Sequence, residues 1–268
     1  MKRKLYRILS LALAVLISAC IVGCVDTSTT NGTTDNSQAT TDSTNGNNQL
    51  TTDSQQTTED KTTVKEKTEY EVISNTCKLG VNSIGTVWIE GIVVVENTGT
   101  TNLYLKSGKF DIEDSEGHLV ATEDYISVYP TVIAPGEKAI YYGSFSLDNG
   151  DVNAEYKIVP NISADKAKVP IERLAVSDFS ISEDKYGYIK AIGRVENTTE
   201  EEQSLYTVAT IMYDANENVI GVMYTYPDKL APGAKTSFEM SNMVNYNKIS
   251  FSDIARYEVI AYTYQLQF

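Results

Sequence analysis

The sequence predicts an all-β protein built from two tandem β-sandwich domains, and three observations carry that expectation. First, apolar and polar residues alternate with the period of a half-buried strand. In Tyr188–Glu196, Ile189, Ala191, Gly193 and Val195 share one face and Lys190, Arg194 and Glu196 the other. Near the C-terminus, Ile260, Tyr262, Tyr264, Leu266 and Phe268 alternate with Thr263, Gln265 and Gln267. Second, turn chemistry separates these runs: Asp114-Ser115-Glu116-Gly117, Asp214-Ala215-Asn216-Glu217-Asn218 and two Ala-Pro-Gly sequences. Third, the second half repeats the first. Val95-Glu96-Asn97-Thr98 returns as Val195-Glu196-Asn197-Thr198, Asp114 as Asp214, and Ala134-Pro135-Gly136 as Ala231-Pro232-Gly233. A period near 100 residues is domain-sized, and short strands at this spacing suggest a sandwich.

In chain order, the first element is an export segment over residues 1–23. Lys2, Arg3, Lys4 and Arg7 precede an apolar run from Ile8 to Ile17 that continues through Ile21 and Val22. A basic start, a short apolar core and a small residue before the cut make a secretory signal. The stretch Ile21-Val22-Gly23-Cys24 resembles the lipobox of bacterial lipoproteins. That resemblance implies diacylglyceryl transfer to the Cys24 thiol, cleavage before it, and attachment to the membrane through the lipid. Ile17-Ser18-Ala19-Cys20 fits the same pattern, so Cys20 is a second candidate. An uncleaved spanning helix is the third reading, but it needs about 20 apolar residues, and Ser10, Ser18, Cys20 and Gly23 interrupt this run.

Residues 24–68 form a Thr/Ser/Asn-rich stalk in which Ala39, Leu50 and Val64 are the only apolar side chains after Val25. Such a stretch cannot bury enough surface to offset its ordering entropy, so it is expected to be disordered. As a flexible linker it would span about 35–40 Å on average and roughly 150 Å fully extended. The two sandwich domains follow at 69–168 and 169–268, each long enough to bury a core without disulfides.

The Gly-x-Val-x-Asn of Gly193–Asn197, the strand Thr210-Ile211-Met212-Tyr213-Asp214 and Pro232-Gly233 together resemble the FxLYD-type domains of bacterial envelope lipoproteins. The resemblance implies an immunoglobulin-like sandwich in each copy. The family's phenylalanine is Thr210 here, and the first copy has Phe110, Ile112 and Asp114 with Glu113 in place of tyrosine. The family pattern contains no catalytic residues, so none carry over.

Charge narrows the partners. The export segment removes four of 22 basic side chains and no acidic ones, leaving 18 against 36, a net charge of −18. Phosphate backbones and anionic membrane surfaces would repel such a chain. Nucleic acid is therefore not an expected partner, and membrane attachment must come from acyl chains, of which stable anchoring takes two.

Few residues suggest reaction chemistry. Cys77 is the only cysteine past Cys24, and within an apparent strand it reads as a small buried residue rather than a nucleophile. The single histidine, His118, lies on a hairpin turn, and one histidine without a second soft ligand makes no zinc site. Asp111, Glu113 and Ser115, and likewise Asp214, Asn216 and Asn218, alternate as calcium ligands can. They lack the glycine and glutamate of a calcium loop and sit where turns favour Asp and Asn anyway. No catalytic, metal or cofactor residues are assigned. A carboxylate-based hydrolase needs no sequence motif and stays open.

One contrast between the copies points to a contact surface. The outer face of Tyr188, Lys190, Ile192 and Arg194 in the second copy corresponds to Trp88, Glu90, Ile92 and Val94 in the first. An apolar face carrying the chain's only tryptophan suggests that Trp88, Ile92 and Val94 meet a partner or the second domain. The alternative is that another strand or loop covers them as ordinary core. The sequence thus reads as a lipoprotein on the extracytoplasmic face of the membrane, acting as a non-catalytic binding or scaffolding module for an unknown protein or glycan. The alternatives are an accessory subunit of a transport or wall-synthesis assembly, and an envelope hydrolase.

Overall fold

Alternation of the kind seen in Ile189–Glu196 becomes strand throughout a computed structural model that describes residues 65–242, 249–264 and 267. The export segment with Cys20 and Cys24, the stalk through residue 64, and Leu266 and Phe268 lie outside the described residues. The described chain is all-β, with antiparallel pairing throughout and a single 3-10 turn at Phe251–Asp253.

The first half contains β1 (Tyr70–Val81), β2 (Val87–Asn97), β3 (Leu103–Leu105), β4 (Lys109–Asp114), β5 (Leu119–Glu123), β6 (Ser127–Tyr129), β7 (Val132–Ile133), β8 (Lys138–Leu147), β9 (Tyr156–Asn161) and β10 (Ala164–Lys166). They form sheets in the orders β1-β2-β8-β6, β5-β4-β9 and β10-β3-β7. The second half contains β11 (Ala175–Glu183), β12 (Ile189–Glu196), β13 (Tyr206–Tyr213), β14 (Val219–Thr225), β15 (Lys235–Ser241) and β16 (Arg256–Thr263), in sheets β11-β12-β15 and β14-β13-β16. Among the described residues every strand pairs within its own half. The pairing order repeats: β1-β2-β8 corresponds to β11-β12-β15, and β5-β4-β9 to β14-β13-β16.

Each half has its own core. Ile89, Val93, Val95, Phe110, Ile112 and Tyr141 anchor the first, and Ile189, Ala191, Val195, Val208, Met212 and Phe238 the second. Burying one such aliphatic side chain contributes about 1.5–3 kcal/mol. Gly193 is required by this packing. A Cβ there would come within 2.7 Å of Phe238 Cζ, which fills the space opposite it.

A third buried cluster joins the halves, which belong to one unit spanning Asp60–Phe268. Ile92, Val94, Tyr129 and Ile140 pack there against Ala209, Ile211, Val219, Val222 and Tyr262. The outer face of sheet β1-β2-β8-β6 thus lies on the outer face of sheet β14-β13-β16. The connecting segment is bonded too: Leu174 N donates to Ala261 O at 2.9 Å, and Thr263 N to Glu172 O at 2.9 Å.

This seam changes the reading of the last strand. Alternation places Ile260 and Tyr262 on one face; that face enters the seam, while Val259 and Ala261 face the second core. Both faces are covered, so alternation alone does not tell which one meets its own core. The strand ends at Thr263, and Tyr264 is 47% exposed.

Candidate functional site

The repeated motifs meet in space and do structural work. Asn197 Nδ2 donates to Glu201 O at 2.7 Å and to Leu230 O at 2.9 Å, and its Oδ1 accepts from Thr199 N at 3.0 Å. Its backbone completes the link, because Gly233 N donates to Asn197 O and Asn197 N to Ala234 O. Asn97 repeats the pattern with Thr101 O, Ile133 O, Gly99 N, Gly136 N and Glu137 O. The Asn-Thr motif therefore clamps the Ala-Pro-Gly turn. Gly136 and Gly233 take φ of 79° and 71°, the left-handed third position of a type II turn after proline.

The two Asp hairpins belong to a set of four. Asp114 Oδ1 accepts from Glu116 N and His118 N, and Asp214 Oδ1 from Asn216 N and Asn218 N. Asn82 and Asp184 make the same two bonds, to Ile84 and Thr86 and to Tyr186 and Tyr188. The signal was present in the sequence as Asn82-x-x-Gly85 and Asp184-x-x-Gly187, with glycine supplying positive φ. Because Asn82 does the same work without charge, these oxygens are serving turn geometry. The Asn218 amide, followed by the Asn218 and Asn216 backbone N–H groups, holds the Asp214 carboxyl below the usual carboxylate range. The alternating acids do not converge either: Asp111 meets Lys109, Thr122 and Asn161, while Glu113 meets Lys157. Asp214→Asn is expected to leave the thermal midpoint unchanged with or without millimolar calcium, and Asp214→Ala to lower it. A calcium-dependent midpoint abolished by Asp214→Asn would contradict this.

His118 lies exposed, with Nδ1 3.3 Å from Asp114 Oδ2. Cys77 packs against the first core, and burial pushes its thiol up to about 11. Thiolate is the reacting species, so alkylation at pH 8 is expected to run about a hundredfold slower in the folded chain than in urea. Equal rates, measured by mass spectrometry with Cys20 and Cys24 replaced by serine, would show the site to be open.

Of the predicted contact residues, Ile92 and Val94 are 1% and 6% exposed and lie in the seam. Trp88, on the same face, is half-buried and stands outside that cluster. Polar contacts border the seam. Lys78 Nζ donates to Ile220 O at 2.6 Å, and Arg173 Nη2 pairs with Glu137 at 3.0 Å. Burial lowers the Lys78 ammonium, and nearby Glu90, Asp214 and Asp253 oppose that shift. Tyr129 of the first half stacks on Tyr224 of the second, with ring centroids 5.1 Å apart.

From that stack the aromatic surface runs outward into a cleft that sequence reasoning missed. Tyr226 meets Tyr224 edge-on at 5.6 Å. Beside it, Ser204, Leu205, Tyr206, Thr207, Tyr226, Pro227 and Tyr264 line an open cavity of about 320 Å³. The sheet order β14-β13-β16 explains the assembly. Tyr206 opens β13 opposite Thr263, and Val208 pairs with Thr225, so the ends of three neighbouring strands bring these residues to one end of the sheet. Leu205, Tyr226 and Tyr264 are 64%, 63% and 47% exposed. Tyr206 is buried, and among the described residues its hydroxyl has no hydrogen-bond partner. Burial, and then the nearby Asp228 carboxylate, push the pKa of that phenol up. The Asn197 clamp fixes the rim, and Gln203 and Leu230 exchange backbone hydrogen bonds at 2.9 Å. These tyrosines are separated by 20 and 38 residues in sequence, so no local spacing marks them.

No protein-family model matches the chain, and no curated protein matches it in sequence.

Proposed function

We propose that this chain is a lipid-anchored, extracytoplasmic lipoprotein that works as a non-catalytic binding module, with two immunoglobulin-like sandwiches presenting a ligand-binding cleft. The observation that carries the binding role is the open cavity of about 320 Å³ flanked by exposed Leu205, Tyr226 and Tyr264. Tyrosines give large amphipathic contact area at low entropic cost, which suits recognition. A cleft formed by strand ends is held in shape by the sheet behind it. The cavity offers hydroxyls and rings but pairs no nucleophile with a base among its described lining residues.

The lipid anchor rests on the basic n-region, the apolar run and the lipobox-like Ile21–Cys24. The resemblance to FxLYD-type envelope domains supports the same placement. Labelled palmitate should be incorporated by the wild-type chain and by Cys20→Ser, but not by Cys24→Ser. Incorporation by Cys24→Ser would move the anchor to Cys20, and no incorporation at all would remove it. For the binding role, a photo-reactive residue at position 226 should cross-link a ligand in intact cells, while one at the exposed hairpin residue Leu119 should not. Equal adducts at both positions, or none, would refute the role of the cleft.

A further inference from the structure

The cleft's chemistry selects among ligands, and this step rests on the binding role proposed above. We propose that the cleft bounded by Leu205, Tyr206, Tyr226 and Tyr264 binds a small organic ammonium ion, a quaternary or alkylated amine. Three of the lining residues are tyrosines, whose ring quadrupoles attract cations. Among the described residues no lysine or arginine lines the cavity. Asp228 follows Pro227 and acts on the Tyr206 phenol. Glu200, Glu201 and Glu202 occupy the adjoining loop. Lys229, which follows Asp228, is 3.3 Å from Glu202 and so is already paired. The rim therefore carries excess negative charge, which disfavours anions and concentrates cations.

The lining also argues against a metal ion. Hard cations take several oxygen ligands, commonly carboxylates, whereas these walls are three tyrosines, a proline, a leucine, a serine and a threonine, with no carboxylate among them. An alkylated ammonium sheds its water easily, gains apolar contact with Leu205 and Pro227, and keeps its charge against the ring of Tyr226. The volume of about 320 Å³ falls at the small end of small-molecule sites, about 300–1,000 Å³.

Choline and its uncharged isostere 3,3-dimethylbutan-1-ol separate charge from shape. Equilibrium dialysis of the full-length protein in a non-ionic detergent should show choline binding about tenfold or more tightly than the alcohol. Tyr226→Leu keeps apolar bulk at a position 63% exposed, so folding should survive, as circular dichroism would verify. It should weaken choline about tenfold and leave the alcohol within about twofold. Asp228→Asn should weaken choline alone. Equal affinity for the two probes, binding of neither, or a Tyr226→Leu chain that binds choline like wild type would overturn the ammonium assignment. Cross-linking from position 226 decides separately whether the cleft binds anything, so the two readings fail by different results.

Discussion

Val94→Arg is expected to convert one cooperative unfolding transition into two. Val94 is 6% exposed in the seam with Ile92, Ile140, Ala209 and Ile211, and the substitution copies what the second half already has. At the corresponding position Arg194 is exposed, 3.5 Å from Asp178. In the seam a guanidinium would lose its water and find apolar neighbours, a cost of several kcal/mol. Each half keeps its own core, so the expected damage is loss of coupling rather than global unfolding. Trp88 is the only tryptophan, so its fluorescence reports the first half, while far-UV circular dichroism reports both. Wild-type curves from the two probes should coincide, and V94R curves should separate. Coincident V94R curves with an unchanged midpoint would show that the seam does not hold the halves together. Arg194→Val should leave the midpoint nearly unchanged.

The second large effect is expected at Asn197. Asn197→Ala removes both donors from the carbonyls of Glu201 and Leu230 and the acceptor from Thr199 N. Asn197 itself is fully buried, so water does not readily replace the amide. Leu230 O keeps Gln203 N as a donor and Glu201 O keeps the Thr199 hydroxyl, so Thr199 N is the group left without its acceptor, and with the lost amide bonds a loss of about 2 kcal/mol is expected in urea denaturation. Asn197→Asp should not restore stability, because a carboxylate cannot donate to two carbonyls. Asn153, whose bonds stay within one exposed turn, provides a control within about 0.5 kcal/mol of wild type when changed to alanine. A loss at Asn197 no larger than the control's would mean that the clamp contributes nothing. Because Glu201 and Leu230 adjoin the cleft, Asn197→Ala should also weaken whatever Tyr226 binds.

The seam also explains why the copies diverged where they did. In the second half the face of Ile192 and Arg194 is open, with Lys190 3.0 Å from Glu239. Arg194 there keeps its guanidinium in water beside Asp178. In the first half the same face is covered, and Glu90, at 6% exposure, is carried into it with the apolar residues. The fourth hairpin diverged in another way. Glu217 takes φ of 63° where the other three have glycine, and its carboxylate grips Arg256 Nη2 at 2.6 Å above the Tyr213 ring. That grip offsets a backbone conformation unfavourable to a side chain.

Period-two alternation, Asx-type turns and the recurring Asn-Thr and Ala-Pro-Gly motifs were enough to declare an all-β chain and its internal repeat, because each is enforced by contacts within a few residues or across one turn. The contrast between Val94 and Arg194 was equally legible as a change of environment. What covers Val94 was not, since Ile211, Val222 and Tyr262 lie more than 110 residues away. The same holds for Ile260 and Tyr262, whose alternation was visible although their destination was the seam and not the core. The cleft belongs wholly to the tertiary structure. Tyr206, Tyr226 and Tyr264 become neighbours only because three antiparallel strands have their ends at the same end of the sheet. A sheet converts distant sequence positions into adjacent side chains, and local periodicity fixes the face of each strand but not the strand that will lie beside it.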